Sequence, residues 1–178
     1  MVAPAALPGE SVAQDGKDIE MSVQEISDVL KTSSLGVELD EPGRQELAGV
    51  MQIRQYSDGE TVVAEGSCEN SLDLLLSGEL GVVNETAGKT LYILKPGEFA
   101  GAMDFLDGQP RMSTLRAING ARIATLRRTD FEKLLDTSPH LVYHVMRDMV
   151  RTIHQILLNM NSQCSELTNY VFRQHGRY

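Results

Sequence analysis

Residues able to do chemistry are sparse in this chain of 178 residues. His140 and His144 stand four apart, the spacing at which two imidazoles on one helix face can share a metal ion. No third ligand lies beside them, so the expected role is pairing with carboxylates or water. Cys68 and Cys164 are far apart and in no metal-ligand spacing, which points to free thiols in a reducing compartment and hence to the cytoplasm. The chain contains no G-x-S-x-G, P-loop, H-E-x-x-H or Cys-x-x-Cys pattern, and its glycine-rich turns lack the G-x-G-x-x-G spacing. Asp18, Glu20, Asp40, Glu41, Glu85 and Asp107 fall in turns or tails, where carboxylates are normally solvated. These features point away from an enzyme, and no cofactor or metal is expected.

A formal charge of −9 opposes any broad attraction to nucleic acid or anionic lipid. It leaves room for a small anion, because one local arginine can hold a phosphate on an otherwise acidic surface. No apolar run approaches the ~20 residues that span a bilayer, and the first residues lack the basic start and apolar core of a secretory signal. The expected protein is soluble and unexported, with no membrane partner.

Length and a hydrophobic content of 42 % allow one substantial core. Residues 1–20 are rich in Ala, Pro, Gly and acids without an apolar period, and read as a flexible tail. From Met21, Val23, Ile26, Val29 and Leu30 have helical spacing, with Ser22 and Glu25 in capping-box positions. A second short helix follows Asp40, with Pro42 in its first turn and Leu47, Val50 and Met51 on one face. The period then changes. From Gln52 to about Arg127 the chain divides into β-prone runs, IRQY, TVVAE, LDLLLS, ELGVVN, TLYIL, STLRAI and ARIATL, separated by turn signals that include Ser77-Gly78 and Asn119-Gly120. Many short strands at close spacing predict an antiparallel sandwich or barrel. The segment GAMDFLDGQPR, residues 101–111, interrupts them with one predicted helical turn.

Thr129 and Asp130 start a further helix, and Ser138-Pro139 opens a longer one. In it Val142, Met146, Met149, Ile153, Ile156, Met160, Leu167 and Tyr170 recur at steps of four and three, with Gln163 as the polar member. That is a coiled-coil period, and pairing with a second copy along residues 138–170 is expected, the alternative being a helix packed on its own domain.

The ordered pieces YSDGETVVAEGS, LLLSGELGVV, LKPGEFAG and QPRMSTLRA together resemble the cyclic-nucleotide-binding superfamily, over about residues 23–170. The resemblance implies a mainly β fold with flanking helices: a double-stranded β-helix or jelly roll over residues 21–137, then a long dimerisation helix and tail over 138–178. It also implies a ligand site at Gly101, Ala102, Met103, Arg111, Met112, Ser113 and Thr114, with cyclic AMP or cyclic GMP as candidate ligands. Arg111, after Pro110, matches the arginine that closes on the phosphate, its alternative being a surface arginine at a strand start. Ser113 and Thr114 stand near phosphate and base in the family pattern, or point to solvent. Gly101 matches the glycine that admits the ligand, or serves the strand-to-helix turn.

Three departures qualify the match. Ala102 stands where the family has its ribose-binding glutamate, and Asp104, two residues on, is expected to be solvated on the outer face of the turn. Ile156 and Leu157 fall where catabolite activators carry base-contacting hydroxyls. After Tyr178 no helix-turn-helix follows, so DNA binding is not expected. The implied function is a non-catalytic sensory or regulatory module signalling to an unknown protein effector, the alternative being a degenerate copy kept for dimerisation and docking.

Overall fold

The structure, a computed structural model, describes residues 17–18 and 23–175, with side-chain surroundings for 23–158 and 160–162. Most of the expected tail, the Ser22 half of the capping box, and the side chains of Gln163, Cys164, Leu167 and Tyr170 lie outside the described residues. Two residues of that tail, Lys17–Asp18, form strand β1 and pair with Gln55 and Arg54.

Helices α1 (Val23–Leu30) and α2 (Glu41–Gly49) lie between β1 and the remaining strands. The Asp40 side chain accepts from the Gly43 N–H at 3.0 Å, so α2 begins at the expected cap. The strands are β2 (Gln52–Tyr56), β3 (Thr61–Val63), β4 (Ser71–Asn84), β5 (Lys89–Leu94), β6 (Phe99–Ala100) and β7 (Thr114–Arg127), with helix α3 (Ala102–Asp107) between β6 and β7. All pairings are antiparallel, in the order β1-β2-β7-β4-β5, with β3 also on β7 and β6 also on β4.

Two expected breaks are not turns. LDLLLS and ELGVVN are one strand, β4, and STLRAI and ARIATL are one strand, β7. Gly78 and the pair Asn119-Gly120 sit opposite each other at register shifts in the β4–β7 ladder, all three with positive φ. They bend paired strands without ending them. A Cβ on Gly78 would stand 2.0 Å from the Gly120 carbonyl oxygen, so the crossing requires glycine.

Alternation along β4 divides the core. Leu72, Leu74 and Leu76 face the helices with Leu30, Leu47, Phe105 and Phe131, while Leu75 and Leu80 join Tyr56, Leu115 and Ile123 within the sheet. Helices α4 (Arg128–Thr137) and α5 (Pro139–His175) follow, and Leu141, Val142, Val145 and Met149 seat the first part of α5 in the helix-facing core.

The first part of the expected seam on α5 packs on its own domain. Val142 and Met149 are core residues, Met146 packs against that core, and Ile153, Ile156 and Met160 face a cavity of the same chain. Through Met149 the periodic face is packed in its own domain, whereas Ile156 and Met160 border the cavity and remain about half exposed. At about 100° per residue, Tyr143 and Val150 stand about a quarter-turn from that face and Leu158 nearly opposite it, all three exposed. No helix among the described residues is long and apolar enough to cross a membrane.

Candidate ligand-binding site

Helix α3 sits between two left-handed glycines. Gly101 (φ 92°) precedes it, and Gly108 (φ 71°) closes it by donating its N–H to the Asp104 carbonyl at 2.9 Å. Phe105 anchors the helix by packing on Phe131 of α4, ring centroids 5.3 Å apart. With Phe105 turned into the core, Asp104 points toward β4 and is 2 % exposed.

There it meets Arg111, 6 % exposed. The guanidinium donates from Nε to Asp104 Oδ2 at 2.8 Å and from Nη2 to Asp73 Oδ2 at 2.8 Å, to the Ser71 carbonyl at 2.7 Å and to Ser71 Oγ at 3.0 Å. The remaining carboxylate oxygens are also engaged: Asp104 Oδ1 accepts from the Asn70 N–H at 3.1 Å, and Asp73 Oδ1 from the Thr125 hydroxyl at 2.8 Å. Arg111 thus ties α3 to β4 through a buried, hydrogen-bonded cluster. Its backbone is fixed as well, the N–H donating to Ser67 O and the carbonyl accepting from the Gly66 N–H, both at 2.8 Å. A Cβ at Gly101 would lie 2.2 Å from Arg111 Nη1 and 2.5 Å from Ser71 O, so only glycine leaves room for the guanidinium.

Beside this cluster lies a cavity of about 560 Å³ between α3, the start of β7 and α5. Gly101, Ala102, Met103, Arg111, Met112 and Ser113 line one side, and Thr152, Ile153, Ile156, Leu157 and Met160 the other.

A family model for the cyclic nucleotide-binding domain matches residues 53–138, the span from β2 through α4. This span is a cyclic nucleotide-binding domain. It is similar in sequence to domains of cAMP-dependent protein kinase regulatory subunits and shares its fold with a catabolite activator. The regulatory subunit of Candida albicans is 30 % identical over 108 residues, 61 % of this chain and 23 % of that protein, so the chain spans about a quarter of that relative's length. A cyclic nucleotide-binding domain from Methylobacillus flagellatus superposes with a TM-score of 0.70 at 22 % identity, covering 79 % of this chain and 81 % of that one. The catabolite activator protein of Thermus thermophilus gives 0.67 at 24 % identity, covering 76 % and 63 %. At these identities the two structures establish the fold.

Within the domain, six of the seven residues implied by the resemblance border the cavity. The seventh, Thr114, is buried, and its Oγ1 accepts from the Glu65 N–H at 3.1 Å, which ties the end of β3 to β7. Asp104 is buried and ion-paired, correcting the expectation of a solvated carboxylate: in a helix this short, its side facing Asn70 and Arg111 is interior. Arg111 is no surface arginine either, since two carboxylates and Ser71 already hold it. Ile156 and Leu157 line the α5 wall of the cavity. Asp73 and Ser71 were not anticipated, although a lone carboxylate inside LDLLLS is the kind of residue that needs a buried cation. His144 Nδ1 lies 2.9 Å from Arg147 Nη2, and no group of three or more metal-ligating side chains occurs among the described residues.

Proposed function

We propose that the chain is a non-catalytic regulatory module in which filling of the cavity is relayed by α5 to a protein effector. The observation that carries this reading is the position of the cavity, with one wall fixed to the domain and the other formed by α5. Up to Met149 the helix is seated in the core, whereas Ile156, Leu157 and Met160 border the cavity and remain about half exposed. A ligand there would change the contacts of the outer part of α5 while leaving its root in place. Pairing of two copies along α5 belongs to the same reading, with exposed Tyr143, Val150 and Leu158 as the contact face for the described part of the helix.

Cyclic AMP and cyclic GMP, the ligands the resemblance implies, would have to bind without a carboxylate at Ala102 and with Arg111 already engaged. A second reading, a domain kept for dimerisation and docking alone, draws on the same apolar wall.

The chain contains no tryptophan, so Leu158→Trp places a single indole reporter on α5 outside the cavity. A compound that raises the melting temperature and also shifts the indole emission supports the relay. Stabilising compounds that leave the emission unchanged would rule it out, and a complete lack of stabilising compounds would favour the docking reading.

A further inference from the structure

The character of the cavity narrows what can occupy it. Arg111 supplies one formal positive charge against the two formal negatives of Asp73 and Asp104, so the cluster at the cavity edge carries a net −1. An anionic oxygen approaching the guanidinium would meet an acidic group of charges and lose its own water in doing so. A neutral oxygen avoids both costs. Among the described residues Arg111 Nη1 has no hydrogen-bond partner, and it lies over Gly101, itself part of the cavity lining. It remains a donor for an acceptor that brings no charge.

The opposite wall offers little besides apolar surface. Ile153, Ile156, Leu157 and Met160 form it, and the Thr152 hydroxyl there already donates to the Asp148 carbonyl at 3.0 Å. Val82 and Leu115 continue the apolar lining on the sheet side. The volume of about 560 Å³ falls in the range of small-molecule sites, roughly 300–1,000 Å³.

We infer that the cavity takes an uncharged, predominantly apolar small molecule with a single oxygen acceptor directed at Arg111 Nη1. This deepens the regulatory reading and rests on it for the cavity being a ligand site. Charge complementarity separates this occupant from a cyclic nucleotide. Position separates it from a second copy, which would meet the outward face of α5.

Nile red, an uncharged dye with one carbonyl and an emission that reports apolar surroundings, is a direct probe. Titration into wild type, Ile156→Asp, Leu157→Asp and Leu158→Asp tests the assignment, with a melting curve for each variant to establish folding. The expected result is saturable binding to wild type and Leu158→Asp alike, about tenfold or more weaker in Ile156→Asp and Leu157→Asp, and not displaced by cyclic AMP at about 1 mM. Absence of binding to wild type, equal binding to all folded variants, displacement by micromolar cyclic AMP, or an affinity that falls as the protein self-associates would each overturn it. Dye bound in the cavity with a silent Leu158→Trp reporter would defeat the relay and leave this inference standing.

Discussion

The two walls of the cavity differ in how they treat charge. On the α3 side, Arg111, Asp73 and Asp104 are buried together, and all four carboxylate oxygens accept a hydrogen bond. On α5 the buried carboxylate Asp148 has no hydrogen-bond partner for Oδ2 among the described residues, and its Oδ1 lies 3.7 Å from Arg151 Nη1. The residues of α5 that border the cavity, Asp148 not being one of them, are almost wholly apolar. The comparison shows that an arginine in a family's ligand position can act as a strut. The polar side of this site holds α3 against β4, whereas Ile156, Leu157 and Met160 on the apolar side are only half covered.

Arg111→Ala is the strongest way to break that contrast, because it leaves two buried carboxylates without their cation. Loss of one partner from a buried ion pair costs about 3–5 kcal/mol. At about 2–4 °C per kcal/mol for a chain of this length, the melting temperature should fall by roughly 10 °C. A change within about 2 °C would mean that Arg111 does not brace the fold. Gly101→Ala should come next, at about 1–3 kcal/mol, because the new methyl meets Arg111 and Ser71 in a left-handed conformation. Urea unfolding measures it, and no loss would show that the guanidinium can move aside. Ile156→Asp, on the α5 wall, should change stability by no more than about 1 kcal/mol in the same assay, since Ile156 is half exposed.

Asp148 sharpens the comparison by pH. Burial raises the pKa of its carboxyl above the ordinary value of 3.8, outweighing the pull of Arg147, Arg151 and His144. The folded state therefore holds this proton more tightly than the unfolded chain, and the charged form destabilises the fold at neutral pH. Asp148→Asn should melt slightly above wild type at pH 7, by about 1–2 °C. The gap should narrow as the pH falls through the raised pKa toward 3.8. A gap that stays constant with pH would exclude the charge as its cause.

Much of this was legible in the sequence. Asp40 with Pro42, the helical turn in GAMDFLDGQPR and the start of a helix at Pro139 all occur where local chemistry placed them. Ser77-Gly78 and Asn119-Gly120 misled because a positive φ serves a bulge as well as a turn, and only the facing strand distinguishes them. The α5 seam was visible as an apolar face, but periodicity does not say what covers it. Asp104 was misread for a related reason: its burial depends on Arg111 and Asn70, seven residues after it in the chain and 34 before it.

The central claim is that Arg111 is committed to Asp73 and Asp104 and is not available as an anion receptor. Isothermal titration of cyclic AMP into wild type beside the double variant Ala102→Glu/Asp104→Ala tests it most directly. The account predicts no measurable heat for wild type and binding in the double variant, which frees one edge of Arg111 and restores a ribose carboxylate. Micromolar binding of cyclic AMP by wild type would contradict it.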